Sequence, residues 1–239
     1  MLKILIGLYV FFNSNNGVNG NQLDNYVDAN VKTARKFSKK CRILMAESNN
    51  SKILQSSFYE IDILEIGGHH KGKRGKDSEN KQPTLLILST LEDNNYPQYV
   101  KLHTLPNYKG EPIEEYLKEK CLFDPTIVIN CDRDKAFFCL NKLAQLENSV
   151  VDYTKENHKL KWLNTFTGNI QSNINHLYRL VKKRDLPLFL SEQEWRINHR
   201  YSGKRIMDKV KKYISMSTPV TFKQITNSVL AYEKQFLSA

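Results

Sequence analysis

Apolar positions at the start of the chain follow the spacing of helices. An uninterrupted apolar run occupies 4–12. A short helix is predicted over 21–27, a turn over 28–30, and a second helix over 31–45, where apolar residues recur every three or four positions. The pattern predicts a small helical segment, 1–50, that contains a helix-turn-helix.

The apolar run 4–12 has a second interpretation. It follows Lys3, as the core of a signal peptide follows a basic residue, but it is too short to span a bilayer. The polar residues after it offer no small-residue cleavage site. We therefore expect a buried helix of the helical segment, with export as the alternative.

Beyond Tyr59 the pattern changes to that of strands alternating with helices. The first three strands are expected to form a meander, and the chain after His158 reads as helical in at least three pieces. Strands are predicted at 59–66, 83–91, 98–105, 126–129 and 150–153. Helices are predicted at 110–122 and 135–146.

This order of elements predicts an α/β fold of the ribonuclease H-like type, a mixed sheet flanked by helices. The helix-turn-helix segment 1–50 precedes it, and C-terminal helices follow it. The expected domains are therefore 1–50, a ribonuclease H-like domain over 56–200, and a helical extension over 201–239.

The charge balance favours a polyanionic partner. Lys and Arg number 36 against 25 Asp and Glu, for a formal net charge of +11, although an AT-rich genome also enriches lysine. The predicted helix 31–45 carries cations with no acid among them, as a helix lying against DNA phosphates requires. A solvated helix face is the alternative. These cations are Lys32, Arg35, Lys36, Lys39, Lys40 and Arg42.

The cysteines stand far apart and form no Cys-x-x-Cys pair, so neither a zinc ribbon nor a disulfide framework is indicated. They have the pattern of free thiols in a reducing compartment. They are Cys41, Cys121, Cys131 and Cys139.

Two acids are placed for metal chemistry. Asp62 lies in the first predicted strand and Asp132 follows the fourth, and these strands are neighbours in the expected topology. Converging carboxylates there suit Mg²⁺, which binds carboxylates, water and substrate phosphate. A helix cap or an ion pair is the alternative role for an acid at a strand end.

Several blocks of sequence resemble bacterial insertion-sequence transposases of the DDE superfamily. The block 62–68, with the basic loop 71–75 after it, is similar to the first catalytic strand of that family. The block 128–132 is similar to the strand that carries its second aspartate. The blocks 158–164 and 186–200 resemble its catalytic helix and the arginine-containing segment near its end.

The resemblance, which extends over about residues 18–212, implies a DNA transposase of the Asp-Asp-Asn/Glu branch. It implies that Asp62, Asp132 and Asn164 are the catalytic and metal-binding residues, with Asn where most relatives have Glu. Glu156 is the alternative third ligand, and helix capping is the alternative role of Asn164. The implied cofactors are two Mg²⁺ ions, with Mn²⁺ as a substitute.

The implied partner is double-stranded DNA, which includes both the ends of the element and the target. The protein is expected to bind it as a homo-oligomer, and no membrane partner is implied. A bacterial cytoplasmic, nucleoid-associated location follows from the same resemblance. The residues expected to bind DNA are Lys32, Arg35, Lys36, Lys39, Lys40, Lys71, Lys73, Arg74, Lys76, Arg196 and Arg200.

Some positions depart from the family pattern. Ile63 stands where Glu is usual, the residues around Asp132 differ, and the block 176–179 replaces a Gly-Thr-Tyr-His type of sequence. No zinc ribbon stands ahead of the predicted helix-turn-helix. These departures leave open an alternative function, that of a catalytically decayed remnant that only binds DNA.

Overall fold

The structure is a computed structural model, and it describes most of the chain. The described residues are 2–67, 81–90, 96–123, 126–132, 134–148, 160–178 and 181–200, with 207, 208, 210, 211 and 215. They fall into two units, one drawn from 1–51 and 173–238 and the other from 52–172. We call these the helical unit and the sheet unit.

The sheet unit contains five strands in the order β3-β2-β1-β4-β5. Neighbours β1–β2 and β2–β3 are antiparallel, whereas β1–β4 and β4–β5 are parallel. This arrangement confirms the predicted mixed sheet and its opening meander. The strands are β1 (Phe58–Ile66), β2 (Gln82–Thr90), β3 (Pro97–Thr104), β4 (Val128–Cys131) and β5 (Gln145–Asn148).

Helices cover both faces of this sheet. Because strand side chains alternate between faces, Tyr59 and Ile61 pack on one side into a core with α4 (Gly110–Lys120) and the 3₁₀ helix Lys135–Lys142. Glu60 points to the other side, where it meets α5 (Lys161–Ser172). The sheet is thus the middle layer of an α/β unit.

Two predicted elements in this unit are corrected. The fifth strand lies at Gln145–Asn148, whereas the predicted strand at 150–153 falls outside the described residues. The predicted helix 135–146 is a 3₁₀ helix that ends at Lys142. It ends early because the next residues turn into β5, where the Gln145 N–H donates to the Ile127 carbonyl at 2.9 Å.

The helical unit begins with three helices that polar residues separate and cap. They are α1 (Leu2–Asn13), α2 (Gly20–Val27) and α3 (Val31–Asn50). Asn19 and Asn30 accept backbone N–H bonds at the starts of α2 and α3. The run predicted as a buried helix is only half buried: Phe11 and Phe12 are in the core, while Leu2, Ile4, Leu5 and Tyr9 are exposed. No helix among the described residues is long and apolar enough to cross a membrane.

The remaining described helix, α6 (Leu186–His199), belongs to the helical unit although the predicted domain 56–200 included it. It follows the π-helix Asn173–Leu177 and the 3₁₀ turn Lys183–Asp185. The Asn49 side chain donates to the Ser191 carbonyl at 2.9 Å, and Ile43 packs against Leu188. Because α6 packs on α3, it lies in the same unit as the N-terminal helices.

A buried carboxylate joins these two helices. Glu192 of α6 is fully buried and accepts from the Arg42 Nε at 2.6 Å, the Arg196 Nη2 at 2.6 Å and the Tyr178 hydroxyl at 2.7 Å. Burial raises the pKa of Glu192, but Arg42 and Arg196 together hold it below its usual range. The carboxylate is therefore ionised, and the two guanidinium groups are bound in the interior.

We predict that Glu192→Gln strongly destabilises the protein, because it leaves two buried arginines without their counter-charge. The expected loss is about 3–5 kcal/mol of unfolding free energy, measured by urea unfolding. Asp28→Asn is the matched control, since it removes an exposed carboxylate from the same unit, and it should change stability little. Equal stability of the two variants would contradict the role given to Glu192.

Candidate active site and nucleic-acid interface

The pairing of β1 with β4 brings Asp62 and Asp132 to the same level of the sheet. The parallel register matches Glu60 with Asn130 and Ile61 with Cys131, and the next residue along each strand is an aspartate. Paired residues of parallel neighbours point to the same face. Asp132 lies just beyond the last residue of β4, and both aspartates are half-buried, so continuation of this register would set them on one face.

The electrostatics of Cys131 agree with this placement. Burial raises the pKa of the Cys131 thiol to about 12, and the nearby Asp132 and Asp62 carboxylates contribute to the increase. Each carboxylate also has a local backbone partner. Asp62 Oδ1 accepts the Ile63 N–H at 2.7 Å, and Asp132 Oδ1 accepts the Asp134 N–H at 3.0 Å.

Helix α5 lies along β1 and runs in the same direction. Near its start the Leu163 N–H donates to Glu60 Oε2 at 3.2 Å, and near its end the Gln171 side chain donates to the Glu65 carbonyl at 3.4 Å. Asp62 lies between these two points of β1. The first half of α5 thus passes over the aspartates.

Asn164 lies on the edge of α5 that faces β4. The Trp162 ring is 6.4 Å from the ring of Tyr96, which directly precedes β3. Successive helical residues are rotated by about 100°, so Trp162 and Asn164 point to opposite edges. Since β4 and β3 lie on opposite sides of β1, the Asn164 edge is the one nearer to Asp132.

The structure excludes the capping role of Asn164. Its N–H donates to the Leu160 carbonyl at 3.0 Å inside α5, which begins at Lys161. The amide nitrogen of its side chain is buried and has no hydrogen-bond partner within the described part of the chain.

The predicted ligand set consists of two carboxylates and one amide, all of which offer oxygen to a hard divalent cation. Across the described ranges, no group of three or more His, Cys, Asp or Glu could hold a metal ion. The alternative third ligand, Glu156, falls outside those ranges. The predicted basic-loop residues also fall outside them: Lys71, Lys73, Arg74 and Lys76.

The sequence analysis did not single out Glu60, which is only 1% exposed. Burial raises the pKa of Glu60 to about 7, although the Leu163 N–H lowers it. A signal was present, because Glu60 and Asp62 are two residues apart in a strand and must share a face.

The cations of α3 separate into two groups. Arg35 and Lys39 line a cleft of about 830 Å³ in the helical unit, together with His176 and Arg184, which the sequence analysis did not predict. Lys39 lies 3.5 Å from Asp185, which also lines the cleft. The second group, Lys32, Lys36 and Lys40, does not line the cleft and is exposed.

Two arginines proposed to face DNA are buried instead. Arg42 is 7% exposed and pairs with Glu192. Arg196 is 6% exposed, and its guanidinium donates to Glu192 and to the backbone carbonyls of Ser14 and Phe11. Arg42 also lines the cleft, but Glu192 holds the guanidinium groups of both arginines. Arg200 is half-buried and donates to the Ile197 carbonyl at 2.7 Å.

One protein family matches the chain. The model of the ISXO2-like transposase domain covers residues 58–198, more than half of the sequence. The match includes Asp62, Asp132 and Asn164, and it extends over both the sheet unit and α6. No curated protein matches the chain by sequence.

Proposed function

The chain belongs to the ISXO2-like transposase family, and on that premise we propose that it cuts and joins DNA at Asp62, Asp132 and Asn164. The reaction is hydrolysis of a phosphodiester at the end of an insertion sequence, followed by attack of the freed 3′ hydroxyl on target DNA. The β1–β4 register is the observation that supports the proposal, because its last pair, Ile61 and Cys131, directly precedes the two aspartates.

The donor set fits Mg²⁺ or Mn²⁺. Two such ions, when bound, activate water and stabilise the leaving oxygen. The backbone bonds from Ile63 and Asp134 orient the carboxylates of Asp62 and Asp132. Asn164 contributes an oxygen without charge, so its share of ion binding is weaker than that of a glutamate.

We also propose that the helical unit binds double-stranded DNA. Arg35 of α3 and Arg184 of the 3₁₀ turn before α6 both line the cleft. These cations suit a phosphate backbone that passes between them. The exposed lysines of α3 extend this surface, and we propose that the basic loop 71–76 also binds DNA. Assembly as a homo-oligomer on the element ends, at the nucleoid, completes the proposal.

DNA binding without catalysis is the second candidate, and the uncharged Asn164 favours it. Two other departures from the family pattern, at Ile63 and Cys131, are weaker arguments for a loss of catalytic activity. Ile63 and Cys131 pack against the core on the α4 face, away from the side chains of Asp62 and Asp132. A substitution on that face alters the packing of the unit and leaves the proposed ligand set intact.

Catalysis is tested by two substitutions. Asp132→Asn is expected to abolish metal-dependent nicking of DNA that carries the element ends, while DNA affinity changes little, because only the metal site is lost. Asn164→Glu is expected to retain or increase nicking, because it restores a charged ligand. The measurement is nicking of supercoiled and linear DNA with Mg²⁺ or Mn²⁺.

Nicking by the wild type without metal, or equal nicking by Asp132→Asn, would overturn the mechanism. Tight DNA binding with no nicking by any variant would favour the second candidate.

DNA binding is tested by its salt dependence. Joint replacement of Lys36 and Lys39 by Ala should weaken binding and reduce the slope of log K against log salt by about 2, since each phosphate contact contributes about 0.9. The matched control replaces Lys118 and Lys120 of α4, which covers the sheet face opposite to the aspartates. A slope that changes only in the control would place DNA on a different surface.

A further inference from the structure

We propose that Glu60 is a positioning residue, which holds the first turn of α5 on β1 and thereby directs Asn164 toward Asp62 and Asp132. The inference rests on the proposed function, because it concerns how the third ligand is presented. Glu60 itself is not assigned to the ligand set.

The geometry of the contact is specific. Leu163 is the third residue of α5, and the first N–H groups of a helix have no partner within the helix. Glu60 Oε2 accepts this N–H at 3.2 Å from a side chain that is almost completely buried. A carboxylate at this point also faces the positive end of the helix dipole.

An acid at this position is not explained by packing alone. The β2 neighbour of Glu60 is Leu88, and the buried side chains of Leu64 and Ile66 continue the same face of β1. Asp62 and the β4 neighbour Asn130 are polar residues of this face, and a buried carboxyl costs free energy unless it is hydrogen-bonded. The position therefore favours a polar contact over apolar burial.

The hydrogen bond restricts movements of α5 that apolar packing permits. Leu163, Phe166 and Ile170 form the buried stripe of α5, and such a stripe resists separation more than it resists small rotations or slides. Because a hydrogen bond is directional, this one fixes both the rotation of α5 about its own axis and its position along β1. Asn164 follows Leu163 directly, so its side chain moves with that turn.

The test compares two replacements of Glu60. Glu60→Gln keeps an oxygen that can accept the Leu163 N–H, whereas Glu60→Leu has a similar size and no acceptor. The matched control is Glu65→Gln, on the same strand, where Glu65 accepts from Tyr108 at 3.0 Å on the other face. The readouts are amide hydrogen exchange in α5, Mn²⁺ binding by calorimetry, and nicking.

We expect Glu60→Leu to speed exchange in the first turn of α5 about tenfold and to weaken Mn²⁺ binding by a similar factor, which corresponds to the loss of one hydrogen bond. Glu60→Gln should stay close to the wild type in both, and Glu65→Gln should change neither. Wild-type exchange and Mn²⁺ affinity in Glu60→Leu would overturn the proposal.

If Glu60→Leu does not fold, the donor is removed instead. Leu163→Pro removes the N–H, and the first turn of a helix tolerates proline. Leu163→Ala also loses the packing of the leucine side chain, but it keeps the N–H. Weaker Mn²⁺ binding by the proline variant than by the alanine variant supports the proposal, and equal binding overturns it. Failure of the proposed function has a different signature, because the wild type itself would then neither bind Mn²⁺ nor nick DNA.

Discussion

Parallel hydrogen bonding between β1 and β4 is the constraint on which the candidate site depends. Side chains alternate along a strand, so a shift of one residue in this register would turn Asp132 to the α4 face, away from Asp62. Apolar packing protects against such a shift, because Ile61, Ile129 and Cys131 are all completely buried on the α4 side. The pairing that directly precedes both acids is thus maintained by the core on the α4 side.

Sequence periodicity predicted the parts of the fold that alternate clearly. The strand with Asp62 begins within one residue of its predicted start, and the neighbouring strand with Asp132 is also present, two residues later than expected. The strand at 145–148 was not predicted, because its residues do not alternate between apolar and polar positions. Local patterns carry little information on a strand whose position depends on its partner.

Charge was harder to interpret than periodicity. Arg196 was assigned to DNA as part of the block that resembles the arginine-containing segment of the transposases, yet it is buried against Glu192. The spacing of four residues between them on one helix face was an available signal. Glu60 was missed for a related reason, since the sequence reports an acid but not the helix that covers it.

The ion network around Glu192 limits which segments of this sequence recombination can replace separately. Arg42 comes from the first fifty residues, whereas Glu192, Arg196 and Tyr178 come from a part of the chain more than a hundred residues later. A recombination event that replaced only the N-terminal helices would leave Glu192 with one arginine fewer in the interior. An exchanged N-terminal segment therefore keeps this network only if it supplies an arginine at position 42, even though the whole sheet unit lies between the two parts in the sequence.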